Sequence, residues 1–391
     1  MISVWWLLLL PLAAASSWWL ARRVIPRDSA LQRYDLARDY IRGINYFLNE
    51  QPDKAIDVFV RALDADTTVI EPHFALGSLF RRRGEVDRSI RIHQNLLARP
   101  SLTGEQRNLA LQELAQDYMQ SGLLDRAEGL FNELLERDPR NVQALRFLHS
   151  IYEQEKEWEA AIAVLKKIEG VNGEGQGQVI AHYYCEQAVL QLPAGDLIWA
   201  RRLLRRALRH DRHCLRARLL GVQLAELSGR ERAAVRGYRR AALQSPQQLS
   251  EIIAPWLAFH QQRGRRVEAD DPMIRLLMAQ PAVKPVLDYI EYRIGVDGLT
   301  HGLTELRQYL LQHPSPYGML RYLQWSAGQS MLSDEQQFVR LQLSAVVEKT
   351  FLYVCSECGL SSNMMRWQCP GCRRWNTVRL NPESRRQEMR S

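Results

Sequence analysis

The residues best placed to do chemistry stand near the end of the chain. Cys355 and Cys358 form one Cys-x-x-Cys pair, Cys369 and Cys372 form a second, and ten residues separate the two. Thiolates at these spacings reach a single tetrahedral ion. Each pair makes a tight knuckle offering two sulfurs. Gly359 suits the sharp turn after the first knuckle, and Pro370 and Gly371 fill the second. Four protein sulfurs close the first coordination shell and leave no position for a water or a substrate, which is the signature of a structural zinc site. The same donor set holds iron, and iron in it could pass a single electron. The expected cofactor is therefore one tetrahedral ion, zinc or iron, with Trp367 and Trp375 close enough in sequence to shield it.

Elsewhere the chemistry is thinner. Arg201, Arg202, Arg205, Arg206, Arg209, Arg212, Arg216 and Arg218 make a basic stripe in which Arg201, Arg205 and Arg209 share one helix face. The stripe invites nucleic acid or lipid, yet no aromatic platform is interleaved for stacking, and a solvated outer helix face accounts for it. His210, His213 and Cys214 are close in sequence but lack a fourth ligand, so they read as solvated imidazoles and a packed thiol; Cys185 likewise reads as a buried small side chain. There is no Gly-rich phosphate loop, no His-Glu-x-x-His and no Gly-x-Ser-x-Gly turn. No catalytic residue is expected, and the chain reads as a non-enzyme.

A knuckle pair of roughly thirty residues lies below the size at which a chain folds on its own apolar core, so the metal must contribute the missing stability. A long helical array positions it. From about Leu36 to Pro246 the sequence repeats at a period near 34 residues. One unit has Gly43, Tyr46, Ala55, Phe59 and Ala62, and the next has Gly77, Phe80, Gly84 and Ser89. After an insertion around Ser101 to Gly104 the pattern resumes with Tyr118, Gly122, Ala127, Phe131 and Pro139, then with Tyr152, Ala161 and Leu165. A fifth unit carries Ala188, Ala200, Leu204 and Ala207, and a sixth Gly229, Ala234, Tyr238, Ala241 and Pro246. These offsets resemble the tetratricopeptide repeat family. Small residues mark where paired helices cross and aromatic residues fill the gap. One hairpin cannot hide its apolar face, so neighbours must stack into a superhelix whose concave side is the default binding surface. The family's groove positions fall on Tyr40, Ile44, Phe47, Phe74, Arg81, Arg82, Gln112, Gln116, Gln120, Arg146, Glu153, Gln223 and Glu226. Past Pro246 the pattern fades into amphipathic segments punctuated by Pro255, Pro272, Pro281, Pro285, Pro314 and Pro316. Ser333, Glu335 and Gln336 read as a helix start that leads into the cysteine module without a long linker, which implies a docked module.

At the other end, residues 2–21 carry no charge and match the roughly 20 residues that span a bilayer. Trp5-Trp6 and Trp18-Trp19 sit near the two ends of that run, as interfacial aromatic belts do, and Arg22, Arg23 and Arg27 follow. The positive-inside rule then keeps everything after Arg22 in the cytoplasm. A cleaved signal peptide is the rival, but no basic n-region precedes the apolar run. The formal charge is +8, six cysteines make no disulfide framework, and the composition is that of a globular protein, not a disordered one.

An apolar anchor, tetratricopeptide repeats and a terminal four-cysteine knuckle pair, in this order and over essentially the whole chain, resemble the lipopolysaccharide assembly protein B family of Gram-negative bacteria. The resemblance implies an all-α fold: a tetratricopeptide-repeat superhelix with an N-terminal transmembrane helix and a small C-terminal rubredoxin-like or zinc-ribbon module. The expected organisation is an anchor over 1–21, a juxtamembrane linker over 22–34 and repeats over 35–246. Divergent helical repeats over 247–350, the metal module over 351–380 and a polar tail over 381–391 follow. The resemblance further implies an inner-membrane adaptor that promotes degradation of the lipid A-committing deacetylase by a membrane-bound AAA+ protease, linked to lipopolysaccharide transport proteins. A rubredoxin-like redox protein and a nucleic-acid-binding repeat protein are the alternatives, and homo-oligomerisation stays open.

Overall fold

In the computed structural model the described residues are 41–46, 51–65, 70–267, 271–279, 282–328, 333–348 and 351–381, together with Ser16 and Asn49. Tyr40, Phe47 and, apart from Ser16, the apolar stretch expected to anchor the chain lie outside them. Among the described residues no helix is long and apolar enough to cross a membrane. The chain forms two compact units that divide after Gly173, within the repeat array.

The first unit is a stack of antiparallel helices: α1 (41–46), α2 (Pro52–Ala65), α3 (Glu71–Arg82), α4 (Val86–Leu97), α5 (Gly104–Gln120), α6 (Leu124–Arg137), α7 (Val142–Glu155) and α8 (Trp158–Asn172). Small residues let the helices cross closely. A Cβ at Gly43 would stand 2.7 Å from the Phe59 ring, so only glycine fits there. Gly77 faces the His93 ring in the same way one repeat later. Ala55, Phe59, Leu76, Leu79 and Phe80 make the first buried cluster. The inserted turn is held by a capping box, in which Gln106 N–H donates to Thr103 Oγ1 at 3.2 Å and Thr103 N–H donates to the Gln106 side chain at 3.1 Å.

The second unit continues with α9 (Gly177–Gln191), α10 (Leu197–His210), α11 (Leu215–Leu227), α12 (Glu231–Gln244), α13 (Ser250–Gln261), α14 (Pro272–Met278), α15 (Val283–Asp297), α16 (Leu299–Gln312), α17 (Pro316–Ser326) and α18 (Asp334–Glu348). Its core runs from Leu215 to Leu310 and includes the buried Trp256, Phe259 and Tyr289. Of the prolines expected to punctuate this region, three show two different roles. Pro272 and Pro316 open helices, where a missing N–H costs nothing. Pro255 sits inside α13 and does not end it, because Ile252, Ile253, Trp256 and Leu257 bury both flanks of the helix. The chain closes with a three-stranded antiparallel sheet in the order β2-β1-β3, made of β1 (Tyr353–Cys355), β2 (Ser361–Ser362) and β3 (Val378–Leu380).

Candidate metal centre and groove surfaces

The two knuckles are built alike. In each, the amide four residues after the first cysteine donates back to that cysteine's carbonyl: Gly359 to Cys355 at 3.0 Å and Arg373 to Cys369 at 2.8 Å. In each, the first cysteine's amide donates to the carbonyl five residues on, Cys355 to Leu360 and Cys369 to Arg374, both at 2.9 Å. The residue that closes the turn is left-handed in both, Gly359 at φ +72° and Arg373 at φ 57°. Arg374 and Glu357 pair across the two turns. This geometry brings all four sulfurs within 4.8 Å of one another. Metal–sulfur bonds of ~2.3 Å in a tetrahedron put ligand sulfurs roughly 3.8 Å apart. Cys355 and Cys372 sulfurs stand 3.7 Å apart and those of Cys358 and Cys369 3.6 Å apart, so the donor set fits one tetrahedral ion.

The electrostatics also call for a cation. Burial works against the Cys355 thiolate, yet the Thr377 hydroxyl, 3.3 Å from its sulfur, and the Cys358 and Glu357 amides bring its pKa down to about 6. Cys372 has help from the Arg374 amide, but burial and hydrogen bonding among the four sulfurs push it up to about 11. A positive ion held among the four sulfurs would favour the thiolate form of each. Cys355 and Cys369 are buried, while Cys358 is exposed. When bound, the ion supplies cross-linking of the two knuckles; Cys355, Cys358, Cys369 and Cys372 would hold it.

The module is docked on helices of its own unit. Trp375, only 7% exposed, stacks on His182 of α9 with ring centroids 5.1 Å apart, and Tyr183 meets it edge-on at 5.8 Å. Arg216 of α11 lies over the same indole at 5.7 Å and is itself paired with Glu186 at 2.7 Å. Tyr353 Oη donates to Glu251 of α13 at 2.7 Å. Trp367 packs beside the unit's core and lines a cleft of about 440 Å³ with Arg216, Gln223, Glu226, Pro255 and Phe259. The groove positions Gln223 and Glu226 thus face the chain's own metal module.

In the first unit, Phe74 and Arg82 line a cleft of about 460 Å³ with Ile44, Phe59, Ser78 and Glu113. Arg81 is turned inward instead. Its guanidinium donates to Asp117 at 2.7 Å and to Glu113 at 2.6 Å. Asp117 is fully buried, and it also accepts from Ser89 Oγ at 2.7 Å and from His93 Nδ1 at 2.5 Å. Gln112, Gln116 and Gln120 share one face of α5, with Gln120 the exposed member; Arg146 is exposed and Glu153 half-buried on α7.

Sequence reasoning missed three things. Asp117 escaped because a lone acid in a helix carries no signature, although Ser89 and His93 at the repeat's Ala and Phe positions were a readable clue. His182 stands in an apolar run and gave no sign of its aromatic partner. Cys185 and Cys214, each read as an isolated buried thiol, are both buried and shift each other's ionisation, Cys185 up and Cys214 down, and His210 stacks on Tyr184 at 5.6 Å.

A family model described as "Rubredoxin metal binding domain" matches residues 353–379. Tetratricopeptide repeat models match residues 73–106 and 113–176. Among solved structures, a tetratricopeptide repeat protein from Parabacteroides merdae is 11% identical at a TM-score of 0.35, covering 79% of this chain and 98% of that one. Pseudomonas aeruginosa PilF is 18% identical at a TM-score of 0.32, covering 55% and 94%. Lipopolysaccharide assembly protein B of Haemophilus influenzae is 32% identical over 388 residues, spanning 95% of this chain and 96% of that protein. The protein of the same name from Escherichia coli strain K12 is 34% identical over 378 residues with the same coverage. With this identity across 95% of its length, beside stacked repeats and a four-sulfur knuckle pair, the chain belongs to the lipopolysaccharide assembly protein B family.

Proposed function

We infer that this chain is an adaptor in the regulation of lipopolysaccharide synthesis, held at the inner membrane by residues 2–21 with its repeats and metal module on the cytoplasmic side. Identity of 34% across 95% of its length with a protein named for lipopolysaccharide assembly carries this reading. In its finer form, the adaptor brings the lipid A-committing deacetylase to a membrane-bound AAA+ protease and touches lipopolysaccharide transport proteins. The cleft at Phe74 and Arg82 is the favoured client surface; Tyr40, Phe47, Gln112, Gln116, Gln120, Arg146 and Glu153 are further client positions proposed from the repeat pattern alone, and Arg81, held on Asp117 and Glu113, would act from behind that surface. Tethering raises the local concentration of such a surface beside other membrane proteins. A chain that begins after Arg27, and so lacks residues 2–21, should lose regulation of deacetylase abundance in cells while its repeats stay folded. Full regulation by the truncated chain would remove tethering from the mechanism. Photocrosslinking from Phe74 in membranes should capture the deacetylase or the protease, and capture of neither sinks the finer reading.

A redox reading has one observation in its favour, since the four-sulfur shell fits iron as well as zinc. A reversible one-electron wave in iron-loaded protein, with regulation lost on zinc substitution, would replace the structural role by an electron-transfer one.

A further inference from the structure

The arginine stripe has no part in the adaptor reading, and α10 differs from the other second helices of the hairpins. Between residues 197 and 243 stand thirteen arginines, no lysine and three acids, Asp211, Glu226 and Glu231. Those ten net positive charges exceed the +8 of the whole chain, so the remainder is slightly acidic. The first unit supplies an internal control. Its second helices mix signs, with Asp87 on α4, Glu128 and Glu133 on α6, and Glu159 on α8 among their basic residues. Solvation of a repeat helix therefore does not require an acid-free face. On α10 no acid occurs at all, and the exposed Arg202, Arg205, Arg206 and Arg209 fall at i, i+3, i+4 and i+7 on one face. Among the described residues none of the four pairs with a carboxylate, and like charges at these spacings destabilise a helix unless an anion is present.

On α12 the exposed Arg232, Arg236, Arg239 and Arg240, at i, i+4, i+7 and i+8, also share one face, with Arg239 paired to Asp271 at 3.1 Å. Apolar groups accompany the charge. Ile198 is 69% exposed and Leu243 74% exposed, and the Trp199 ring lies 5.6 Å below the Arg206 guanidinium.

We propose that this face, centred on Arg202, Arg205, Arg206 and Arg209, docks on the headgroups of an anionic phospholipid bilayer. Guanidinium forks match phosphate oxygens, and the exposed Ile198 and Leu243, with the half-buried Trp199, enter the apolar edge of a headgroup layer, as the surface of a peripheral helix does. Single-stranded nucleic acid needs a succession of stacking rings where α10 offers one, and it gives the aliphatic side chains nothing to bury against. Each arginine near an anionic surface strengthens membrane partition by about fivefold. The proposal goes beyond the adaptor reading and stands whether or not residues 2–21 span the membrane.

Hydrogen exchange of the full chain, mixed with bilayers of phosphatidylglycerol and phosphatidylethanolamine or of phosphatidylcholine alone, tests it. Insertion of residues 2–21 would be common to both lipid mixtures, so the difference between them isolates the arginine face. Exchange in peptides covering 197–210 should slow by about fivefold or more with phosphatidylglycerol and not with phosphatidylcholine, and the slowing should vanish at ~1 M salt. The variant R202Q/R205Q/R206Q/R209Q should lose the protection at unchanged melting temperature, while the matching Arg→Lys variant keeps it. Equal exchange in the two lipids overturns the proposal even if the glutamine variant does not fold. Stronger protection by single-stranded DNA than by phosphatidylglycerol at the same salt overturns it in favour of nucleic acid.

Discussion

Ser89 and His93 occupy the places that Ala55 and Phe59 hold one repeat earlier, and the change from apolar to polar is compensated by a single carboxylate. Asp117 accepts from Ser89, His93 and Arg81 while itself shut off from water. Removing one partner of a buried ion pair leaves the others uncompensated, at about 3–5 kcal/mol. Asp117→Ala should therefore cost about 3 kcal/mol or more in urea titration of the first unit. A loss below 1 kcal/mol would mean that water reaches Arg81 and His93. A second buried imidazole gives a pH dependence. Burial, reinforced by the Arg216 charge, takes the His182 pKa from 6.5 down to about 3. The folded chain thus holds a neutral ring where the unfolded chain takes up a proton, and between those two values the unfolded state binds more protons. The contribution is complete above pH 6.5 and is lost as pH falls toward 3. Denaturation midpoints of the second unit should drop between pH 7 and pH 5.5, and His182→Phe, which keeps a ring against Trp375, should flatten that slope. An equal slope in the variant would assign the acid sensitivity to other groups.

At the scale of elements, the hairpin turns give the array its rhythm. Left-handed residues at Gly84, Gly122, Lys156, Gly195, Gly229 and Gly264 each stand in the turn between two successive helices. Glycine takes this conformation freely, whereas at Lys156 a side chain is held at φ 61°. Lys156→Gly should raise the stability of the first unit by about 1 kcal/mol, read from the urea midpoint; a loss would show that the lysine side chain makes a compensating contact. Much of this scale was legible in the sequence. Gly43, Gly77, Phe59 and Phe131 mark helix crossings because close approach tolerates only certain volumes, and the cysteine spacing fixes the knuckles because coordination tolerates only certain distances. The side chains that meet between helices distant in sequence were not legible. Nothing in the run around His182 announces Trp375, nearly two hundred residues on, and the Glu251 to Tyr353 bond spans 102 positions. Pro255 misled for the opposite reason, since a local breaker is overruled when burial on both flanks outweighs one missing hydrogen bond.

For the molecule as a whole, the metal serves more than its own knuckles. The sheet of β1, β2 and β3 has a small core of Tyr353, Cys355, Cys369 and Val378. Such a core holds only while the four sulfurs are cross-linked, given ~10–16 kcal/mol of metal binding in small zinc folds. Trp375 and Tyr353 pass that order on to α9, α11 and α13 through His182, Arg216 and Glu251. The first unit has its own crossings and its own buried Asp117 network, neither of which includes the cysteines. Chelation of the full chain should therefore speed hydrogen exchange in 353–380 and in 177–191, and lower the melting temperature of the second unit. Exchange in 104–155 should stay within twofold of the metal-bound value. Cys355→Ser with Cys358→Ser should reproduce the pattern without chelator, which separates loss of the ion from side effects of the reagent. If α9 exchanged at the same rate with and without metal, the stacking of Trp375 on His182 would be a contact that helix does not depend on, and the module's task would end at its own fold.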